Sequence, residues 1–358
     1  MEYKNAQCEV FGTHFGVIKN VLFFYLQPDF VRRGSPLQMA VQAHKPDVIK
    51  LLIEEFNADV EFDVHEGATV LFEAVYIRDV AAIQQLLKYG ACVNHRDWYG
   101  RTALFMAVLM QQSIMVELLV RHGANVNLLG YGEAHEDRCF NSCQGTSPLQ
   151  AALHGYDSLY YLRLIDDNPA ALNAAMNEHI DIIRHLVPHC SNFDATVPSN
   201  GTSEEDSYRT LSCVELCFMI ESKQSDLRVS KHLLRNGATT RFHAFYDVVK
   251  QNHGCHADVV TASFVKLCRL SGCDFKQYFL TLAQEKEQGP AAGQDHRTKH
   301  VHALVKDCFS QPLTLAELSI MAIRKSIGSR HLWGKIDALP VGIPRSVKDL
   351  IQFKTYMY

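Results

Sequence analysis

Three residues with the spacing of metal ligands lie close together in the middle of the chain. His135, Cys139 and Cys143 follow one another at intervals of four residues, so a helix there would place all three on one face. With His154 they would form a set of four zinc ligands. The segment contains no paired Cys-x-x-Cys to support a metal, and we interpret these side chains as incidental loop residues that bind none.

No other pattern predicts a catalytic centre. Residues 130–135 begin like a glycine-rich loop that binds a dinucleotide, but a histidine replaces the third glycine and no strand is predicted before it. The chain contains no His-Glu-x-x-His motif, and no cysteine–histidine pair stands out as a nucleophile and its base. We therefore expect a protein that is not an enzyme and needs no cofactor. An enzyme with a Cys/His site is the least favoured alternative.

The composition is that of an ordinary globular protein. Of 358 residues, 47% are hydrophobic, and 35 basic side chains stand against 39 acidic ones, which gives a formal net charge of -4. A mildly acidic chain lacks the clustered basic surface that binding to nucleic acid requires. The charge is uneven, since residues 314–358 carry seven Lys/Arg and three Asp/Glu.

Cysteine use and hydropathy predict the compartment. The eleven cysteines have no regular spacing, which fits a reducing compartment better than a disulfide framework. The apolar run at 21–26 is far shorter than the ~20 residues that cross a bilayer. No basic leader precedes it. We expect no membrane span and no signal peptide, and a cytoplasmic location with the nucleus as a second one.

The elements that position these residues are predicted by an internal repeat. Four segments share one pattern: Ser-Pro-Leu-Gln-Met-Ala at 35–40, Thr-Val-Leu-Phe-Glu-Ala at 69–74, Thr-Ala-Leu-Phe-Met-Ala at 102–107 and Ser-Pro-Leu-Gln-Ala-Ala at 147–152. Their starts are 34, 33 and 45 residues apart. A second marker, a Leu-Leu pair followed by Gly-Ala, keeps the same register at Gly90 and Gly123. Two independent markers in one register indicate a true repeat.

This pattern resembles the ankyrin repeat, which has a period of ~33 residues and a Thr-Pro-Leu-His-x-Ala opening. The Ser or Thr would cap the first helix of each pair, and the glycine would end the second. The resemblance implies an all-α solenoid of helix pairs with β-hairpin-like loops. We expect about six or seven units over 35–275, with insertions at 128–144 and 194–209. One of these units is a helix pair formed by 171–176 and 180–190. A helical cap at 1–34 precedes them.

The chain ends in a different pattern. After a helical connector with a linker at 276–312, apolar residues recur at helical spacing from Leu315. Thr314 followed by Glu317 predicts a capping box. A proline-containing stretch follows, and then a short apolar-periodic segment. Taken alone, residues 313–358 would be a small helical cap that closes the solenoid.

The same residues resemble a SOCS box, a small three-helix module. Thr-Leu-x-x-x-Ser-x-x-x-Ile at 314–323 is similar to its elongin-binding box, with Ser in place of the usual Cys. Ile-Pro-x-x-Val-x-x-Leu-Ile at 343–351 is similar to its cullin box, although the preceding Leu-Pro falls two positions early. The resemblance implies elongin contacts by Leu315, Leu318, Ser319, Ala322 and Ile323, and cullin contacts by Ile343, Pro344, Val347 and Leu350.

Ankyrin units followed by a SOCS box are the arrangement of the ankyrin repeat and SOCS box family. This resemblance implies a non-catalytic substrate receptor of a ubiquitin ligase. Its partners would be elongin C and elongin B, cullin-5 with its RING protein, and a protein substrate. The alternative is an ankyrin scaffold or inhibitor that binds a partner and recruits no ligase.

The repeat register also predicts a partner-binding surface on the hairpin tips and inner helices. Its residues are His65, Glu66, Tyr76, Ile77, Trp98, Tyr99, Arg101, Leu109 and Met110. A Trp-Tyr pair near an arginine is typical of an interface hot spot. The alternative is that Trp98 folds back on the neighbouring hairpin.

Overall fold

The computed structural model describes the helical parts of the chain from residue 35 onward. The described residues are 35–130, 145–162, 169–191, 193, 196–198, 210–222, 227–238, 240, 257–273, 275, 279, 303, 305–328, 332–340 and 342–352. The chain divides into two compact units, Met1–Ser147 and Pro148–Tyr358. The predicted cap at 1–34 lies outside the described residues.

The described part of the first unit, 35–130 and 145–147, contains three helix pairs, each an inner helix followed by an outer one. They are α1 (Pro36–Gln42) with α2 (Pro46–Glu54), α3 (Val70–Tyr76) with α4 (Val80–Lys88), and α5 (Ala103–Leu109) with α6 (Ser113–Arg121). Inner helices pack on inner helices, and α2 packs on α4. A short antiparallel hairpin of β1 (Asp63–His65) and β2 (Ala68–Thr69) precedes α3.

The predicted caps account for two of the three inner helices. The hydroxyl of Ser35 accepts the backbone N–H of Gln38 at 3.1 Å, and that of Thr102 accepts the N–H of Phe105 at 3.2 Å. Thr69 has the same extended backbone, but its side chain makes no cap hydrogen bond. The predicted cap at Thr69 is therefore wrong. Thr69 also ends β2, so the hairpin determines the direction in which the chain enters α3.

The predicted helix ends are confirmed. Gly90 and Gly123 both have φ of 86°, a left-handed conformation that favours glycine. The next residue in each case donates its N–H to the carbonyl five positions back, as Ala91 does to Leu86 at 3.0 Å. The alanine of each opening pattern, Ala40, Ala74 or Ala107, is fully buried. Its small side chain lets neighbouring helices approach closely, and the larger apolar side chains of the core fill the remaining space.

The second unit begins with two long helices, α7 (Pro148–Leu162) and α8 (Pro169–Leu186), which pack on each other. We predicted a helix pair from 171–176 and 180–190, but α8 is one continuous helix with a 3-10 turn at Val187–His189. The physical reason is that Met176, Ile180 and Ile183 form a single buried stripe. No glycine or proline interrupts that stripe before Pro188.

Three further helices lie in the described residues between 213 and 271. They are α9 (Cys213–Ser222), α10 (Arg228–Arg235) and α11 (Ala257–Ser271). The predicted glycine endings after α10 and α11 are confirmed by positive φ angles of 99° at Gly237 and 86° at Gly272. The predicted polar insertion at 194–209 contains strand β3 (Thr196–Pro198), which pairs with β4 (Thr210–Ser212). Its residues 199–209 lie outside the described part, and the count of six or seven units remains a prediction.

The described chain ends in three helices, α12 (Leu315–Ile327), α13 (Leu332–Asp337) and α14 (Arg345–Ile351). The predicted capping box is confirmed: the Thr314 hydroxyl accepts the N–H of Glu317, and the Glu317 carboxylate accepts the N–H of Thr314 at 2.9 Å. These helices share a small core of Leu332, Ile336 and Ile351, against which three further apolar side chains pack: Ile323, Ile327 and Leu339.

Candidate protein-binding surfaces

One face of α12 in the second unit is apolar and uncovered. Leu315 is 82% exposed and Leu318 is 50% exposed, and Ser319 and Ala322 are exposed beside them. Ile323 is half-buried and packs against the core of α13 and α14. The predicted elongin-binding residues therefore lie together on one helix, with four of the five facing away from the rest of the unit.

Ser319 occupies the middle of this face without leaving an unpaired hydroxyl. Its hydroxyl donates to the carbonyl of Leu315 at 2.7 Å, within the same helix. A serine bonded in this way exposes mainly its Cβ and the helix backbone at the surface. Replacing cysteine with serine here therefore adds little polarity to the exposed face.

The opposite face of α12 is held by a buried arginine. Arg324 is 5% exposed, and its guanidinium donates to the carbonyl of Leu234 at the end of α10 and to that of Ile351 at the end of α14, at 2.5 and 2.9 Å. Burial lowers the pKa of Arg324 to about 10, although the nearby Cys273 raises it. Sequence reasoning did not assign this role. The signal in the sequence was that Arg324 follows the apolar Ile320 by four residues and so lies on the same helical face.

A second contact fixes the start of α12. Lys266 on α11 places its ammonium 3.2 Å from the Glu317 carboxylate. Burial raises the pKa of Glu317, but hydrogen bonds from Thr314 and Lys266 outweigh it and lower the pKa overall. The polar contacts of Arg324 and Glu317 with other helices therefore lie on the side away from Leu315, which leaves the apolar face uncovered.

The predicted cullin-binding residues lie around the start of α14. Pro344 precedes the helix as its N-cap and is exposed, as is Val347, while Ile343 and Leu350 are half-buried. The Lys348 ammonium donates to the carbonyls of Asp337 and Leu339 at 3.1 and 2.8 Å. This contact ties α14 to the end of α13.

In the first unit, exposed apolar side chains recur at the ends of the inner helices. Tyr76, the last residue of α3, is 59% exposed, and Leu109 is exposed at the same position of α5. Ile77 and Met110 follow them and are half-buried. Because α3 and α5 pack side by side, the repeat places these pairs next to one another.

Trp98 lies on a hairpin tip and is 77% exposed. Its backbone N–H donates to the carbonyl of Glu66 at 2.8 Å. Its indole covers Gly67, where a Cβ would lie 2.6 Å from Cδ1. Trp98 therefore combines the two predicted positions, an exposed interface residue and a ring folded on the neighbouring hairpin. One edge of the ring lies on that hairpin, and most of the ring faces solvent.

Arg101 lies elsewhere than expected. It is buried, and its Nε donates to the Asp97 carboxylate at 2.7 Å. Its guanidinium is 4.6 Å from the centre of the Tyr99 ring and 5.6 Å from that of Phe72. Arg101 therefore supports Tyr99 from below and presents no cation to a partner, which corrects its assignment to the surface.

Acidic side chains border these aromatic residues. His65 is exposed with its Nδ1 3.7 Å from the Glu66 carboxylate, and Glu66 is in the left-handed region at φ 53°. On α3, Glu73 precedes Tyr76 by one helical turn and accepts a hydrogen bond from Gln42 at 2.9 Å. We did not assign Glu73 to the surface from the sequence.

The zinc hypothesis concerns residues mostly beyond the described part. His135, Cys139 and Cys143 lie outside it, and His154 is buried in α7. Within the described ranges, no group of three or more His, Cys, Asp or Glu side chains has an arrangement that would hold a metal ion. None of the described helices is both long enough and apolar enough to span a bilayer.

Comparison with known proteins identifies the repeat. The family of ankyrin repeats, in a model of three copies, matches residues 37–130. The chain thus contains ankyrin repeats, which are in general protein-binding modules without catalytic activity. No curated protein matches the chain.

Proposed function

We propose that this chain is the substrate-recognition subunit of an elongin B/C–cullin-RING E3 ubiquitin ligase. In this proposal the ankyrin repeats bind a protein substrate, and α12 binds elongin C, which brings elongin B. The start of α14 orients cullin-5 and its RING protein. The SOCS box would span residues 313–358, and the complex would act in the cytoplasm, with the nucleus as a second location.

The uncovered face of α12 carries the proposal. A helix that only closed the solenoid would turn its most apolar residues inward, because burying a leucine side chain is worth roughly 1.5–3 kcal/mol. Here Leu315 and Leu318 face solvent, while Arg324 and Glu317 on the other side make buried polar contacts. This arrangement suits a helix that inserts its apolar face into a groove on another protein.

In this proposal the chain positions the substrate and takes no part in the transfer of ubiquitin. A receptor of this kind raises the local concentration of substrate lysines near a ubiquitin-charged enzyme. Such a role needs an anchored docking helix and a separate partner-binding surface. The described residues carry candidates for both, on α12 and on the ankyrin repeats.

Co-purification with elongin B/C tests the proposal. We expect a stable complex with the full chain, and we expect Leu315→Asp to abolish it, because the charge would be buried in an apolar groove without a partner. Ile114→Asp is the matched control, since Ile114 is 66% exposed in the first unit and receives the same charge. Equal melting temperatures would establish that both variants fold.

The alternative is an ankyrin scaffold that recruits no ligase. The match to ankyrin repeats over 37–130 supports protein binding with or without recruitment. If the wild-type chain is folded and monodisperse but does not bind elongin B/C, the ligase proposal is wrong and the scaffold function is favoured.

A further inference from the structure

The aromatic surface of the first unit is formed by Tyr76, Trp98 and Tyr99. All three rings are exposed to solvent, and Trp and Tyr are the side chains that most often dominate protein interfaces. Trp98 is held in place by its backbone hydrogen bond to Glu66 and by contact with Gly67. A ring that is both exposed and positioned loses little freedom when it binds a partner.

The charges around this surface are mainly negative. Residues 35–130 carry seven Lys/Arg and eleven Asp/Glu, a net charge of -4. The Glu66 side chain starts beside the indole, because the Glu66 carbonyl accepts the Trp98 N–H. Glu73 lies one turn before Tyr76 on the same helix face. Two of the three rings therefore lie close to an acidic residue.

The two arginines on either side of Trp98 are occupied by other partners. Arg101 is bound to Asp97 below the surface. Arg96 donates to the carbonyls of Gly100 and Leu129. The exposed bases next to the surface are His65, which faces Glu66, Arg78 at the turn after α3, and Arg96, which keeps its charge because its acceptors are neutral carbonyls. With these arginines counted, residues 35–130 still carry a net charge of -4, and a net negative charge attracts cations.

We propose that this surface binds a short basic segment of the partner protein, one lysine or arginine of which stacks on Trp98 beside Glu66. Arg101 already stacks on Tyr99 at 4.6 Å, so the same chemistry occurs within the chain. The inference rests on the proposed function, because it specifies the chemistry of the substrate that the receptor binds. A cation stacked on an aromatic ring strengthens binding by roughly 2- to 30-fold.

Selection from a display library of random twelve-residue peptides tests the inference. The bait is the immobilised full-length chain, and the enriched peptides are then labelled and titrated by fluorescence anisotropy. We expect enrichment of lysine and arginine, and an affinity that falls as salt is raised, because exposed charges are screened over about 8 Å at 0.15 M salt. Enrichment of acidic or uncharged apolar peptides, or failure to enrich any peptide, would overturn the inference.

Three variants locate the binding site. We expect Trp98→Ala to weaken the enriched peptide by about tenfold, and Glu66→Gln to weaken it several-fold through loss of a nearby charge. Ile114→Ala changes an exposed apolar side chain on helix α6 and should leave the affinity unchanged. If the peptide binds Trp98→Ala and Glu66→Gln as tightly as wild type, the surface is not its site.

The same preparations separate this inference from the ligase proposal. Leu315→Asp should lose elongin B/C and keep the basic peptide, whereas Trp98→Ala should keep elongin B/C and lose the peptide. If the chain binds basic peptides but does not bind elongin B/C, only the ligase proposal is wrong. If the chain binds elongin B/C but selects no basic peptide, only the inference about the aromatic surface is wrong.

Discussion

Replacing Arg324 tests how the docking helix is held. In Arg324→Ala, the carbonyls of Leu234 and Ile351 each lose a charged donor, although that of Leu234 keeps the N–H of Gly237 at 3.3 Å. A hydrogen bond to a charged group contributes about 1.5–3 kcal/mol. Removing a buried cation acts in the opposite direction. The pKa of Arg324 is lowered from 12.5 to about 10, which corresponds to about 3 kcal/mol. Central values of about 4 and about 3 kcal/mol leave a net loss of about 1 kcal/mol.

The same reasoning predicts that Arg324→Lys is less stable than Arg324→Ala. Lysine keeps a buried charge, but its single ammonium lacks the planar fork that reaches two carbonyls at once. We expect the lysine variant to lose about 2 kcal/mol, since one charged hydrogen bond disappears and no burial cost is relieved. The neighbouring Lys325 is exposed, so Lys325→Ala is the matched control and should change stability by less than about 0.5 kcal/mol.

Hydrogen exchange followed by mass spectrometry measures these effects where they occur. Amides of α12 and α14 should exchange faster in both Arg324 variants, with α5 and α6 of the first unit as an internal reference. A loss of about 1 kcal/mol corresponds to roughly fivefold faster exchange through local opening. The reasoning fails if Arg324→Ala exchanges like Lys325→Ala, or if the lysine variant is the more stable of the two.

Two further predictions concern a buried histidine and a hairpin glycine. Burial lowers the pKa of His179 from 6.5 to about 4, so the unfolded chain binds a proton first and stability should fall by about 3 kcal/mol as the pH drops from 6.5 to 4. Urea unfolding across this range should show a flatter pH dependence in His179→Gln. Gly67→Ala should displace the Trp98 ring and cost more than Gly90→Ala, because only Gly67 has the indole within contact of a new Cβ while both have positive φ. Equal melting temperatures and unchanged tryptophan fluorescence in the two alanine variants would contradict this.

Sequence reasoning succeeded where structure depends on a single turn of backbone. The cap at Thr102, the capping box at Thr314 and the left-handed glycines at the helix ends all involve atoms within five residues of one another. Such features are set by residue type and spacing. Thr69 is the exception, since it also belongs to a strand whose partner lies across a turn.

The continuity of α8 could also be predicted from the sequence, but the period of the repeat favoured a helix pair. Met176, Ile180 and Ile183 share one helical stripe without a breaking residue. The period of the earlier units predicted two helices in this segment, whereas its hydrophobic spacing predicted one continuous helix. The spacing decides, because a helix continues until a glycine, a proline or the loss of its buried face ends it.

The sequence by itself determined the repeat register, the caps and the glycine ends, and it determined which apolar residues share a face of α12. The tertiary structure decided which side chains reach solvent. Arg101 and Trp98 are three residues apart, yet one is buried beside Asp97 and the other lies over Gly67. Likewise Arg324 is buried and Leu315 exposed, against their ordinary preferences. The reason is physical: exposure depends on neighbours from distant parts of the chain, here Leu234 and Ile351, and local spacing does not specify them.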